Sequence, residues 1–200
     1  MSVDIIKVST KSHYKIFAKL PFEIYKDNTC WVPPIIKDEI KSLDPQENPA
    51  MEYCESQFWL AKKDGKWMGR IGAIINTVYN EKVGEKMGRF SRLEFFDDEE
   101  VFKALMNTAI TWLKEKEMKK VHGPLGFSNL DTQGMLIEGF DHLASVASVY
   151  HLPYYKKHVE SYGFEKENDW VEFRLTLGEK ARQKGIRGSQ LIKKRYGFDV

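Results

Sequence analysis

The dipeptide Asp64-Gly65 lies between two runs of β-forming residues, SQFWLAKK and KWMGRIGAIINT. Asp-Gly suits the left-handed backbone of a two-residue turn, so the sequence predicts two antiparallel strands joined there. Alternation in the second strand places Ile71, Ala73 and Ile75 on one face. A third strand in KMGRFSRLEFF, reached through YNEKVGEK, completes an antiparallel meander. The fold of this chain is therefore built on a sheet.

A long helix is predicted after the meander, over residues 98 to 118. Its apolar stripe repeats at three and four residues, which is the spacing of a core-facing helix. The stripe consists of Phe102, Leu105, Met106, Ala109 and Leu113. KKVHGPLGF then reads as a strand, and a strand that follows a helix in this way usually lies parallel to its neighbour in the sheet.

The remaining elements are predicted from shorter signals. They are an opening strand at 3 to 9, a helix capped by Ser12, a helix stopped by Pro45, a short helix and a strand at 144 to 150, a short helix ending in Gly-Phe, and a final strand within 169 to 177.

Composition indicates a water-soluble globular protein, with 42% hydrophobic and 30% charged residues among 200. No apolar run reaches the length of a membrane span, and the opening MSVDIIKVST lacks the pattern of a signal peptide. We expect a cytoplasmic protein without membrane partners. Cys30 and Cys54 form no CxxC pair, and the histidines show no metal-ligand spacing, so we expect neither a disulfide nor a metal.

The last segment, residues 178 to 200, is basic. It carries seven Lys or Arg and two acids, a net +5 in a chain of formal charge +2, so the rest carries −3. We expect residues 1 to 177 to form the domain and the tail to contribute little to its core. A solvated helix or linker is favoured over a nucleic-acid contact, because no binding motif accompanies the charge. The apolar residues of the tail could instead pack on a second copy of the chain in a homodimer.

The element order resembles that of the GNAT superfamily of N-acetyltransferases, as does the segment YYKKHVESYGFEK. A closer likeness is to a poorly characterised bacterial GNAT-like family whose members often carry two such domains. It covers residues 14 to 175 and is carried by CWVPP, LDPQENP, DGKWMGRIGAIIN, HGPLGFSNLDTQGMLIEGFD and PYYKKHVESYGF. The resemblance implies an α/β (α+β) fold: a mixed, twisted sheet with an antiparallel meander, a parallel pair that splays into a cleft, and helices on both faces. SQLIKKRYGFDV looks like the start of a second such domain.

The resemblance also implies a cofactor, acetyl-CoA or another acyl-CoA, with its pyrophosphate on a basic glycine-rich turn before the long helix. FFDDEEVF stands at that place instead. Asp97 and Glu100 have the spacing of a capping box, and Asp98 and Glu99 fall in the first helical turn, where carboxylates favour the helix dipole. A pyrophosphate would meet like charge and occupied donors, so we expect coenzyme A to bind weakly or not at all in the usual mode.

Five polar residues are candidates for the site. Glu94 could act as general base if an apolar surrounding raised its pKa, or could be a strand residue paired with an arginine. The resemblance implies a catalytic tyrosine four residues before the Gly-Phe, where this chain has Val159. Tyr155 stands one helical turn earlier and could be the acid or a wall residue. The other three could bind a polar substrate or could cap turns in an extended loop. They are Asn129, Asp131 and Gln133.

Two functions from different classes follow. The first is an acyl-CoA-dependent N-acyltransferase acting on an unknown small-molecule amine. The second is a non-catalytic GNAT-like domain that binds a ligand or another protein and has lost the coenzyme A phosphate site. The absent phosphate turn favours the second, whereas the likeness across the whole sheet favours the first.

Overall fold

The computed structural model describes residues 2–198. The chain divides into two compact units, Met1–Glu165 and Lys166–Val200. The first unit contains five strands, five α-helices and a short 3₁₀ helix at Pro49–Glu52. These are β1 (Asp4–Lys7), α1 (Lys11–Ile24), α2 (Ile36–Leu43), β2 (Cys54–Lys63), β3 (Lys66–Asn76), α3 (Thr77–Val83), β4 (Met87–Phe95), α4 (Glu99–Glu115), β5 (Lys120–His122) and α5 (Tyr154–Ser161).

The five strands form one mixed sheet in the order β1-β2-β3-β4-β5. The first four pair antiparallel, and β4 pairs parallel with β5 only from Met87 to Arg89. Asp64 and Gly65 join β2 to β3 with φ of 52° and 79°, as the hairpin turn requires. The predicted α/β class, antiparallel meander and parallel pair are therefore confirmed. The connection between β3 and β4 contains α3, which the sequence did not predict.

Helices cover both faces of the sheet. The predicted stripe of α4 is buried, with Phe102 1% and Leu105 0% exposed, and packs on the face that carries Ile71, Ala73 and Ile75. The opposite face carries Phe58, Leu60 and Ile74 and packs against α1. The sheet is thus the middle layer of three.

A β-bulge in β4 decides which side chains face which layer. Arg70 pairs with Glu94 and Gly72 pairs with Ser91, so β4 has one residue more than β3 between these pairs. Arg92 takes up the extra residue with a φ of 49°, unusual for a side chain other than glycine. Strict alternation would put Phe90 and Leu93 on opposite faces, but both lie in the core beneath α4.

Two predicted strands and one predicted helix do not form. Residues 144–150 and 169–177, all within the described part, contain no strand, and residues 134–143 contain no helix. These segments do contain the β-forming or apolar residues on which the predictions rested. A strand also needs a hydrogen-bonded neighbour, however, and 144–150 instead run as irregular chain anchored at Ala144, whose N–H donates to the carbonyl oxygen of Cys30.

The N-terminal caps predicted for α1 and α4 were assigned to the wrong residues. α1 is capped by Thr10, whose hydroxyl accepts from the N–H of His13, and not by Ser12. α4 is capped by Asp98 and not by Asp97, because the side chain of Asp97 is bound by His158 of α5. That second interaction joins residues 61 apart and leaves no local trace in the sequence.

The second unit contains one helix, α6 (Glu179–Tyr196), which ends at Gly197 in the left-handed conformation. Its first turn holds Glu179 and its last turn three cations, an arrangement that favours the helix dipole. The tail described by the sequence extends to residue 200, and its last two residues lie outside the described part. Within residues 2–198, no helix has both the length and the apolar character needed to cross a membrane.

Candidate functional site

The carboxyl group of Glu94 lies near the end of β4 and is held by two tyrosine hydroxyls. Its Oε2 accepts a hydrogen bond of 2.6 Å from Tyr25 and one of 2.8 Å from Tyr155. Both tyrosines are buried, at 1% and 0% exposure, while Glu94 keeps part of its surface accessible. The structure therefore brings together the two residues that the sequence named as catalytic candidates and adds a third.

The surroundings of Glu94 disfavour its ionised form. Burial raises the pKa of Glu94, and the charge of Arg70 together with the two hydroxyls offsets this only in part. Burial also raises the pKa of Tyr25 and that of Tyr155 well above the usual value of tyrosine. Both phenols therefore remain protonated and continue to donate. The group has the features of a carboxylate adapted to take up a proton.

Two arginines near Glu94 bind the same carboxylate, that of Glu39. Arg70 faces Glu94 across the β3–β4 ladder and donates from Nη1 to Oε1 of Glu39 at 3.0 Å. Arg92, turned by the bulge, donates from Nε to the same oxygen at 3.1 Å. Although burial opposes ionisation, the two guanidinium groups lower the pKa of Glu39. The charge of Glu39 opposes that of Arg70 at Glu94 and so raises the pKa of Glu94.

The gap between β4 and β5 lets Tyr155 reach the site. Beyond Arg89 the two parallel strands are no longer paired, so the edge of β4 is open. Tyr155 fills this opening from α5, and its hydroxyl accepts from the N–H of Phe95 at 3.1 Å. The neighbouring Tyr154 donates its hydroxyl to the carbonyl oxygen of Phe95. Both backbone groups of Phe95 are therefore bound by α5.

The third group, Tyr25, comes from the end of α1 and is fixed by aromatic contacts. Its backbone N–H caps the helix on Pro21, and its ring stacks on Trp31 with centroids 5.0 Å apart. Tyr150 packs edge-on at 6.1 Å and accepts a hydrogen bond from Asn28. These contacts hold the Tyr25 hydroxyl towards Glu94. Sequence reasoning missed Tyr25, because it lies 69 positions from Glu94 and no local pattern marks it as a partner.

The three predicted substrate residues lie in the loop after β5 and bind within that loop. Oδ2 of Asp131 accepts from the N–H of Ser128 at 2.7 Å, and the amide of Gln133 donates to the backbone oxygen of Asn129 at 2.9 Å. The side chain of Asn129 is exposed. None of the three contacts Glu94 or its tyrosines. The turn-capping alternative accounts for their geometry.

The start of α4 is already neutralised. Oδ1 of Asp98 accepts from the N–H groups of Glu100 and Val101 at 3.0 and 3.1 Å. Lys63 pairs with Asp98 at 2.6 Å and with Glu100 at 2.7 Å. Although partial burial works against it, the Lys63 ammonium and these N–H groups lower the pKa of Asp98. The first-turn donors and the nearest cation are thus engaged within the protein.

The other two acids at this helix start also have partners. Nε2 of His158 lies 2.7 Å from Oδ1 of Asp97, and Lys103 pairs with Glu99 one turn further along the helix. All four acids therefore have structural roles. Residues 97–100 do not fit a coenzyme A pyrophosphate, because its negative charge would meet carboxylates and bound donors.

No family model matches the chain. A predicted acetyltransferase of Clostridium acetobutylicum, solved with acetyl-CoA, superposes with a TM-score of 0.53 at 12% identity and covers 86% of this chain and 96% of its own. The sheet order, the parallel pair that parts beyond Arg89 and the helices on both faces agree with that likeness. The chain has a GNAT fold. At this level of identity the likeness shows the fold alone.

Two bacterial proteins are similar to this GNAT-fold chain in sequence. Protein YghO of Escherichia coli (strain K12) is 35% identical over 159 residues, which are 80% of this chain and 40% of that protein. A bacterial ceramide synthase of Caulobacter vibrioides (strain NA1000 / CB15N) is 28% identical over 173 residues, 86% of this chain and 45% of that protein. The chain spans less than half the length of either relative.

Across residues 2–198, no three His, Cys, Asp or Glu side chains are placed to share a metal ion.

Proposed function

We propose that this chain is the acyl-transferring domain of an N-acyltransferase and that Glu94 is its general base. The observation that carries the proposal is a carboxyl group with a raised pKa, held by two buried hydroxyls beside the opening between β4 and β5. Ligands of open sheets bind at such openings, where parallel strands part. The similarity to a bacterial ceramide synthase supports amide formation as the reaction class.

In the proposed reaction an amine attacks the carbonyl carbon of an acyl thioester. The new C–N bond forms, the amine proton passes to the Glu94 carboxylate, and the C–S bond breaks to release a thiolate. A carboxyl group of raised pKa accepts this proton more readily than an exposed one, because its neutral form is the favoured form. The proton on Glu94 can then neutralise the thiolate, which balances the reaction.

Tyr25 and Tyr155 would act chiefly by position. Both hydroxyls bind Oε2 and fix the direction of the carboxyl group. Tyr155, with no exposed surface, would protonate the thiolate itself only after α5 shifts away from Phe95. We therefore assign the two tyrosines the role of holding Glu94.

The test is thiol release from acyl-CoA thioesters in the presence of a panel of amines, with wild type and Glu94→Gln compared. Removing a general base typically costs about 10²- to 10⁴-fold in rate, and we expect a loss in this range. Glu81→Gln, an exposed site on α3, is the matched control and should leave the rate unchanged. Equal rates for wild type and Glu94→Gln would refute the assignment.

A second candidate function is favoured by the start of α4. Because residues 97–100 do not fit a pyrophosphate, a GNAT-fold domain that binds a ligand without transferring an acyl group is the alternative. Calorimetric titration with acetyl-CoA separates the two. Tight binding that is lost when the helix start is blocked would favour the enzyme. Absence of both binding and thiol release would favour the second function.

A further inference from the structure

A groove of about 790 Å³ lies between α1 and the end of the sheet where β3 begins and β4 ends. Volumes of about 300–1,000 Å³ are typical of sites for small molecules. Ten residues line the groove: Ser12, Lys15, Ile16, Lys19, Leu20 and Glu23 of α1, Lys66, Trp67 and Met68 of β3, and Phe96. The residues of the candidate active site are not among them.

α1 presents two adjacent rows to this groove. Ser12, Ile16 and Leu20 follow one another at four-residue intervals, and Lys15, Lys19 and Glu23 form the next row. Side chains four residues apart on a helix lie one above the other, so each row is continuous. Across from them Trp67, Met68 and Phe96 supply an apolar wall. The groove thus offers apolar surface from Ile16, Trp67, Met68 and Phe96, with Leu20 buried at its base, and has lysines on its rim.

The lysines of the rim are free of ion pairs. Among the described residues, no carboxylate lies within ion-pair distance of Lys15, Lys19 or Lys66, whereas the nearby Lys63 has two such partners. Glu23 is the one acid in the lining. Three unpaired cations beside an apolar channel leave positive charge that a bound anion would complement.

We propose that this groove binds a single-chain amphipathic anion of the fatty-acid class. The alkyl chain lies along Ile16 and Leu20 against Trp67 and Met68, and the anionic head lies among the lysines. The charge pattern disfavours a cationic head on the same alkyl chain, and the apolar lining favours longer chains over shorter ones. This site is separate from the proposed acyl transfer and does not depend on it.

The probe is a series of saturated carboxylates from butyrate to hexadecanoate, titrated calorimetrically into the purified chain below the concentration at which they form micelles. Complete burial of one methylene group strengthens binding about fourfold, so in a half-open groove we expect at least about twofold per methylene from octanoate onwards. We expect one carboxylate per chain. Hexadecyltrimethylammonium, a cation with the same chain, should bind at least about tenfold more weakly than hexadecanoate because it meets the lysines.

The variant that tests the rim is Lys15→Glu with Lys19→Glu. Both lysines are exposed, so the double variant should fold, and two charge reversals should weaken hexadecanoate about tenfold or more. Lys180→Glu with Lys184→Glu on α6 makes the same change of charge at the same four-residue spacing and should have no effect. A second variant, Lys66→Glu, approaches the groove from β3 and should weaken binding in the same direction.

Three results would overturn the proposal: no saturable binding of hexadecanoate, equal binding of the cationic probe, or equal losses in the α1 and α6 double variants. Each is measured without reference to thiol release. Failure here would leave the acyl-transfer proposal intact, and loss of thiol release in Glu94→Gln would leave the groove proposal intact.

Discussion

His151 should make the stability of the first unit depend on pH. The imidazole is 5% exposed, packs against the Tyr155 ring at 4.9 Å and accepts at Nδ1 from the N–H of Leu136 at 3.3 Å. Burial lowers its pKa from 6.5 to about 4. In the unfolded chain the group regains its ordinary pKa of about 6.5. Between pH 4 and pH 6.5, therefore, His151 binds a proton in the unfolded state but not in the folded state.

The direction and size of the change in unfolding free energy follow from this difference in pKa. Because the folded pKa is depressed, the stabilising contribution is complete above pH 6.5 and is lost as pH falls towards 4. A fall of this size corresponds to about 3 kcal/mol of unfolding free energy, of which about 2.5 kcal/mol is lost between pH 7.5 and pH 4.5. Comparing wild type with a variant that has no titrating group at position 151 isolates the loss of unfolding free energy that is due to His151.

The assay is urea unfolding of wild type and His151→Gln at pH 7.5, 6.0 and 4.5. Glutamine keeps an acceptor for the N–H of Leu136 but has no proton to gain. We expect wild type to lose about 2.5 kcal/mol relative to the variant over this range. His142→Gln is the control, because the His142 side chain is 82% exposed. A difference between wild type and His151→Gln that stays constant with pH would refute the reasoning.

Four further outcomes are expected. Burial raises the pKa of Glu94 in the folded state, so wild type loses stability as pH rises through that pKa. The unfolding free energy of Glu94→Gln should therefore rise relative to that of wild type between pH 4 and pH 8. A difference in urea unfolding that stays constant over this range would contradict the prediction. Asp98→Ala removes the cap of α4 and should cost about 1 kcal/mol in the same assay, whereas Asp98→Asn should cost less. Glu39→Gln leaves two largely buried guanidinium groups without their carboxylate and should cost about 3 kcal/mol or more. Removing residues 178–200 should leave the melting temperature in calorimetry nearly unchanged, since we propose that the tail adds little to the core, and a large fall would contradict that proposal.

Local patterns predicted the parts of the fold that local interactions determine. The Asp64-Gly65 turn needs only its own backbone preference, and the α4 stripe needs only a repeat at three and four residues. The bulge at Arg92 could not be predicted from the sequence. One extra residue in β4 interrupts the alternation of side chains between the two faces of the sheet, and only the pairing with β3 reveals it. Residues 169–177 show the converse error, since alternation indicates a strand only where a neighbour supplies hydrogen bonds.

The candidate site was predicted as separate residues and not as an arrangement. Glu94 and Tyr155 were selected because of their places relative to the sheet end and the Gly-Phe segment, and the structure places their oxygens 2.8 Å apart. Their roles remain predictions. Tyr25, Arg70 and Glu39 complete the surroundings from α1, β3 and α2, and only the packed fold brings these three elements to one carboxyl group.

Asp97, just before α4, does not cap that helix but contacts α5. Asp97 binds His158, and two residues earlier in the chain Phe95 is bound through both backbone groups by Tyr154 and Tyr155. These contacts all come from α5 and all lie along the open edge of β4 beyond Arg89. A ligand that entered between the strands would have to displace the tyrosine hydroxyls and work against the Asp97 contact. Asp97, one of the acids that make the helix start unsuitable for a pyrophosphate, therefore also helps to hold α5 beside Glu94.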